Sequence, residues 1–149
     1  MSIRRAVRSD LAVVGALIKG LADYERLAHE VVWTPAQLEA SLFDEGVATV
    51  ELAIDDRNDS VAGMALWYPT YSTFLGQSGI WLEDLFVLPE ARGQGLGLAL
   101  LQHLRSLTRG RIEWNVLDWN ELSIAFYDAL GARPVDGWTR YRWTLPEES

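Results

Sequence analysis

Two adjacent carboxylates, Glu83 and Asp84, interrupt the apolar run from Ile80 to Val87. Neighbours in a strand point to opposite faces, so at least one of them sits in a partly buried setting, where an ionised carboxylate is costly without a partner. Such a group can hold a cation and pass on its proton, or it can cap a loop or pair with an arginine. Just beyond the run lies Arg92-Gly93-Gln94-Gly95-Leu96-Gly97, followed by an alanine- and leucine-rich stretch. The order strand, glycine loop, helix brings free backbone N–H groups to a helix N-terminus, where an anion such as phosphate can be held with little help from side chains.

Two nucleotide-binding patterns fail on inspection. A Walker loop ends in Gly-Lys-Ser/Thr, whereas Gly97 precedes Leu98-Ala99. The dinucleotide fingerprint needs its glycines spaced G-x-G-x-x-G near the start of a βαβ unit, whereas Gly93, Gly95 and Gly97 alternate past the middle of the chain.

The elements that must position these residues are legible in outline. Ile3–Val7 alternates as a strand, and Ser9 or Asp10 caps a helix carrying Leu11, Val14, Leu17, Ile18 and Leu21, which ends in the polar and aromatic group Ala22 to Arg26. Thr34-Pro35-Ala36-Gln37 has the form of a capping box opening a second helix to about Phe43. Val47–Ile54 and Val61–Tyr68 read as a hairpin around Asp55–Asp59, with a bend or bulge expected at Gly63. Pro69–Gly79 reads as a loop, Arg111–Trp119 as a strand, Asn120 as the cap of a helix stopped by Gly131, and Trp138–Leu145 as a last strand. With no repeat or linker, the expectation is one α/β (α+β) domain over residues 1–149, a mixed central sheet flanked by helices.

Composition narrows the function. The chain has 149 residues and a formal net charge of −8, which argues against wrapping nucleic acid and suits a cationic partner. It has no cysteine, which removes disulfides, thiolate metal sites and thiol nucleophiles, and His29 and His103 are its only histidines, so no metal is expected. No stretch has the apolar length of a signal or a membrane span, and a cytoplasmic location is the expectation.

The spacing Arg92-x-x-Gly95-x-Gly97, together with the strand before and the helix after, resembles the GNAT superfamily of N-acetyltransferases. Tyr24-Glu25, Trp81 to Val87, Trp119-Asn120, and Ile124 to Tyr127 followed by Gly131-Ala132 are similar, in the same order, to the diamine (spermidine/spermine) acetyltransferase branch. The resemblance implies transfer of an acetyl group from acetyl-CoA to a primary amine of a small cationic, polyamine-like acceptor, by direct attack in a ternary complex. Amides over Arg92, Gly93, Gln94, Gly95, Leu96, Gly97 and Leu98 would hold the pyrophosphate. Those of Leu85, Phe86 and Val87 would pair with the pantetheine arm and polarise the thioester.

In the same resemblance Tyr127 is the general acid beside sulfur, a phenol still protonated at neutral pH because its pKa is near ~10. The alternative is a core tyrosine. Asn120 serves as cap and coenzyme contact. Glu83 matches the acid that receives the amine's proton, in part through water, while Tyr24, Glu25, Asp84 and Trp81 surround the acceptor. A homodimer is also implied. Trp119 flanks the site, and the remaining tryptophans are expected in the core or at subunit contacts. The rival readings are an acceptor that is a lysine-like amino acid, an aminoglycoside or a protein amine, or a non-enzymatic acetyl-CoA-binding module.

Overall fold

The computed structural model describes residues 2–146. The chain divides into two compact units, Met1–Asn115 and Val116–Ser149.

The first unit is built on a five-stranded sheet in the order β1-β2-β3-β4-β5, with β1 at Ser2–Arg5, β2 at Thr49–Asp55, β3 at Ser60–Ser72, β4 at Gln77–Val87 and β5 at Ile112–Glu113. The first four strands are antiparallel neighbours, and β5 runs parallel to β4. Helix α1 spans Leu11–Tyr24. Asp10 occupies the position before it, but its carboxylate turns back to accept from the Val7 N–H at 2.8 Å and to hold Arg4, fixing the entry to the helix rather than its first turn.

Val14 and Leu17 of α1 pack with Val50, Leu52, Met64, Leu66 and Phe86 in one apolar core. Each large side chain buried there contributes ~1.5–3 kcal/mol. Gly20 lets α1 come close to β4, since a Cβ at that position would lie 3.0 Å from the Phe86 ring. The opposite face of the sheet takes α3, Leu96–Leu107, whose Leu100 and Leu104 are fully buried. Glu51 marks this second face: it alternates with Val50 and Leu52 and meets His103 of α3 at 3.4 Å. Its carboxylate also accepts from Arg5 at 2.8 Å and from the Trp67 indole at 3.4 Å, so a charge 1% exposed is fully partnered.

The capping box forms as expected, with Gln37 N–H donating to Thr34 Oγ1 at 3.2 Å and Thr34 N–H to Gln37 Oε1 at 2.9 Å. It opens α2, Pro35–Glu39, which continues as a π-helical turn over Ala40–Asp44. A bulge falls beside Gly63, where the β2–β3 register shifts between Ala53 and Ile54.

Three expectations fail. Pro69–Gly79 is not a loop, because β3 and β4 pair as far as Ser72↔Gln77 and leave only a short turn between them. Pro69 fits there because β2 pairs with β3 only as far as Trp67, so the missing N–H costs no bond on the open side. The strand expected over Arg111–Trp119 shrinks to Ile112–Glu113, paired only with Ile80 and Trp81.

The second unit consists of α4, Glu121–Ala129, and the chain beyond it. Asn120 caps α4 through Oδ1, which accepts from Ser123 N–H at 3.3 Å, and Gly131 at φ 92° ends it. No strand follows among the described residues. The last strand expected at Trp138–Leu145 joins no ladder.

Candidate functional site

The short pairing of β5 opens an edge along β4. Past Trp81 the strand has a ladder only on the β3 side, and Glu83 has no partner even there, because Leu66 pairs with Asp84 and Trp67 with Leu82. Glu83 is thus the extra residue of a β-bulge, a device that re-aims side chains. Beyond it, Leu88 N–H bonds to Ala62 on β3 at 2.8 Å. Antiparallel alternation then turns Phe86 toward β3 and sends the N–H groups of Leu85 and Val87 to the open edge. Of the three residues expected to offer amides to a thioester, Leu85 and Val87 turn theirs to the open edge and Phe86 turns its own to β3. The Phe86 side chain is buried under α1.

The glycine loop follows this edge after a helical turn at Pro89–Ala91. Gly93 and Gly95 take φ of 83° and 78°, a left-handed conformation that a side chain would strain, and Leu96 then begins α3. The first amides of α3 have no carbonyl within the helix and remain available to an anion. Gln94 does not point outward: its side chain donates to Ala91 O at 2.9 Å and reaches Asp55 at 3.5 Å. Asp55, at the end of β2, is itself gripped by Arg57 at 2.8 Å, and the guanidinium brings its carboxyl down to about 2. Arg57 also donates to Glu90 O at 3.3 Å. The Asp55–Arg57 pair therefore braces the loop from beneath. The sequence offered only a polar run there, which reads as a turn.

Arg92 is drawn inward as well. Its Nε donates to Val87 O at 3.1 Å, and its guanidinium lies 5.2 Å from the Tyr24 ring and 5.8 Å from that of Phe86. One side chain thus ties the glycine loop to the strand end and to the last residue of α1, joining positions far apart in sequence.

Glu83 and Asp84 separate as strand geometry requires. Glu83 is exposed, and its carboxylate accepts from the Trp81 indole at 2.8 Å. Asp84 lines a cavity of about 160 Å³ with Ile18, Leu21, Glu25, Leu27, Glu30 and Val31. No cation pairs with it among the described residues. Burial, then the charges of Glu83 and Glu25, push its carboxyl up to about 7, and burial also raises that of Glu25. The carboxylates of Asp84, Glu25 and Glu30 thus line one small cavity, an arrangement that can hold a cation, and a carboxyl raised in this way can bind and release a proton near neutral pH. Glu30 and the apolar wall of Leu27 and Val31 were not singled out from sequence, since nothing local sets them apart from a solvated helix end.

In the second unit Asn120 is buried and Tyr127 half-buried, its ring 5.4 Å from that of Phe126. Trp119 is exposed. Among the described residues no group of three potential ligands could hold a metal ion.

Known proteins resemble this chain in sequence and in fold. The signature of the Acetyltransferase (GNAT) family matches residues 18–132, which spans both units. A thialysine N-epsilon-acetyltransferase of Mus musculus is 34% identical over 95% of this chain and 91% of its own. An L-ornithine N5-acetyltransferase of Arabidopsis thaliana is 30% identical over 95% and 83%. The crystal structure of a probable acetyltransferase superposes with a TM-score of 0.80 at 22% identity, covering 99% of this chain and all of the other.

Proposed function

Because the chain belongs to the GNAT family of acetyl-CoA-dependent acetyltransferases, we propose that it acts as one domain over Met1–Ser149 and acetylates a primary amine of a small acceptor bearing a second ammonium group. The observation that carries this reading is the cavity in which Asp84, Glu25 and Glu30 converge with no basic residue in its wall.

The reaction needs a bound thioester, a neutral amine, a donor to the carbonyl oxygen and a proton for the departing thiolate. Loop amides from Arg92 to Leu98 take the pyrophosphate, and the N–H groups of Leu85 and Val87 at the open edge polarise the carbonyl. Asp84 and Glu25 hold the dication beside Tyr24 and Trp81. A free alkylammonium has a pKa near ~10 and must lose a proton before it attacks. Glu83, exposed at the bulge, takes that proton through water. The amine nitrogen then bonds to the acetyl carbon, the carbon–sulfur bond breaks, Tyr127 protonates the thiolate, and the second proton that the nitrogen sheds as it becomes an amide restores the Tyr127 phenol through water, with Asn120 contacting the coenzyme. The lack of cysteine supports direct attack rather than an acyl-enzyme on sulfur. A homodimer and a cytoplasmic location complete the proposal.

A diamino-acid acceptor is the second reading, favoured by the relatives that act on thialysine and ornithine. Its carboxylate would have to face away from the three acids. Initial rates on spermidine and short diamines against thialysine and ornithine separate the two: a preference of tenfold or more for the acceptors without a carboxylate supports the first, and the reverse preference overturns it. If no amine in a broad panel releases free CoA thiol, the chain is a binding module instead. Tyr127→Phe should lower kcat by about 10²-fold, at the lower end for loss of a general acid, with acetyl-CoA affinity almost unchanged. Unchanged turnover removes Tyr127 from the mechanism. Glu83→Gln should flatten the pH dependence of kcat, and a flat profile from Asp84→Asn alone would transfer the proton role to Asp84.

A further inference from the structure

Arg92 opens the glycine loop, yet its side chain leaves the loop and crosses to α1. Its Nε donates to Val87 O at 3.1 Å while the guanidinium lies 5.2 Å from the centre of the Tyr24 ring. Val87 pairs with Gly63 next to Leu88, whose N–H goes to Ala62 on β3, so the N–H and carbonyl of Val87 share the other side, at the open edge. The guanidinium therefore stands where that edge meets the loop.

Tyr24 is the last residue of α1 and lies between Ala22 and Glu25, both of which line the Asp84 cavity. The chain turns at once: Arg26 takes a left-handed φ of 63°, its N–H bonds to Asp23 O at 3.1 Å, and that of Leu27 bonds to Ala22 O at 2.8 Å. This closure, more often made by glycine, fixes Glu25 and Leu27 relative to the last turn of the helix. Whatever holds the Tyr24 ring thereby sets where the acidic wall of the cavity stands.

The contact is poised rather than locked. Arg92 is exposed and Tyr24 is 37% exposed, and a side chain added at Gly93 or Gly95 would meet nothing within 4 Å. A guanidinium over an aromatic ring gains little while both face water and much more once they are covered. A coenzyme laid along the edge of β4 and into the loop covers this pair.

We propose that Arg92 is a positioning residue that links the two substrate sites: acetyl-CoA in the glycine loop tightens the stack of Arg92 on Tyr24 and so orders the end of α1 that carries Glu25. The inference rests on the proposed function for its ligands and goes beyond it in coupling their binding. The stack supplies the differential interaction that coupling requires, loose in the free chain and covered in the complex. Coupling is reciprocal, so the acceptor raises the affinity for coenzyme by the same factor.

The test uses the full chain and a thioether analogue of acetyl-CoA, in which a methylene between sulfur and carbonyl prevents transfer. Calorimetry gives the Kd of the analogue with and without saturating spermidine, and with ornithine in parallel; the ratio is the coupling factor. It should be about tenfold. Arg92→Lys keeps the charge but loses the planar fork and its Nε donor, and should reduce the factor to about twofold or less. Tyr24→Leu should do the same, whereas Tyr24→Phe keeps the ring and should retain it. A merely structural Arg92 would weaken both Kd values together and leave their ratio unchanged. For an acceptor that turns over, a wild-type factor of one overturns the coupling, as does a factor that survives Arg92→Lys or Tyr24→Leu or is lost in Tyr24→Phe.

A second arm needs no acceptor. Hydrogen exchange at Arg26 and Leu27 should slow about fivefold when the analogue alone binds the wild type, and stay unchanged in Arg92→Lys. No slowing in the wild type, or equal slowing in both, overturns the link. Slowing confined to the wild type, in a chain that acetylates no amine, supports the link from loop to helix and removes the amine reading instead.

Discussion

Asp55 and Asp84 are both aspartates on strands of the same sheet, and both sit away from open water, yet their environments have opposite sign. Asp55 ends β2 under the glycine loop, gripped by Arg57 and touched by Gln94, with its carboxyl brought down to about 2. Asp84 sits on β4 against α1, faced by Glu25 and Glu83 with no cation beside it among the described residues, and is pushed up to about 7. One carboxylate has its partner within the fold and acts as a brace. The other has been left without one, and the compensating charge has to come from outside. A half-buried carboxylate without a cation beside it therefore marks the candidate site against the scaffold here, more than residue type or strand position.

The contrast breaks most sharply if the unpartnered acids are neutralised together. Glu25→Gln with Asp84→Asn should lower kcat/KM for a diamine by about 10³-fold, the cost of losing a close charge pair, with a much smaller loss for a monoamine and acetyl-CoA binding almost unchanged. Equal losses on both amines would mean that the cavity does not read the second ammonium.

Asp84→Asn alone sharpens the comparison through stability. Since the carboxyl of Asp84 rises from 3.8 to about 7 on folding, the native state binds more protons than the unfolded chain between those values. Wild-type stability should then fall as pH rises through that window and level off above it. The Asn variant loses that slope and should be the more stable protein above pH ~7, by about 2–4 kcal/mol, while matching wild type below the ordinary aspartate range. Thermal melts across pH read this, and a variant less stable at every pH would show that Asp84 is a structural group.

Asp55→Asn should show the opposite sign and a smaller functional effect. A depressed carboxyl stabilises the native state above its ordinary value of 3.8, and this is lost as pH falls toward about 2. Wild type and variant melting curves should therefore separate at neutral pH and converge in acid. Acetyl-CoA should bind about tenfold more weakly to the variant, as for one charge-assisted hydrogen bond lost behind the loop. Unaltered affinity would reduce the brace to a stability element.

What could be read from the residues follows the range of the forces involved. The Thr34–Gln37 box, the Gly131 stop and the loop opening α3 are set by bonds within a few residues, and each forms where the sequence says. Strand extent depends on a distant partner, and there the reading fails in both directions: β3 and β4 run through Pro69 and Gly79, while β5 stops at Glu113. The opposite faces of Glu83 and Asp84 were legible from pleat alone. Which of them would be half-buried was not, because that depends on α1 crossing β4 at Gly20 and Phe86. The brace was hidden for the same reason, since Asp55 and Gln94 lie thirty-nine positions apart.

Under the proposed function, the bulge at Glu83 and the early end of β5 would also give a bound coenzyme a structural part. An open strand edge with two outward amides lacks one hydrogen-bonding partner, and a pantetheine arm carries amide groups of its own. Its binding would complete the ladder as a non-peptide surrogate strand. Such binding should appear as slowed hydrogen exchange at Leu85 and Val87, so that β4 becomes fully protected only while the enzyme holds its cosubstrate.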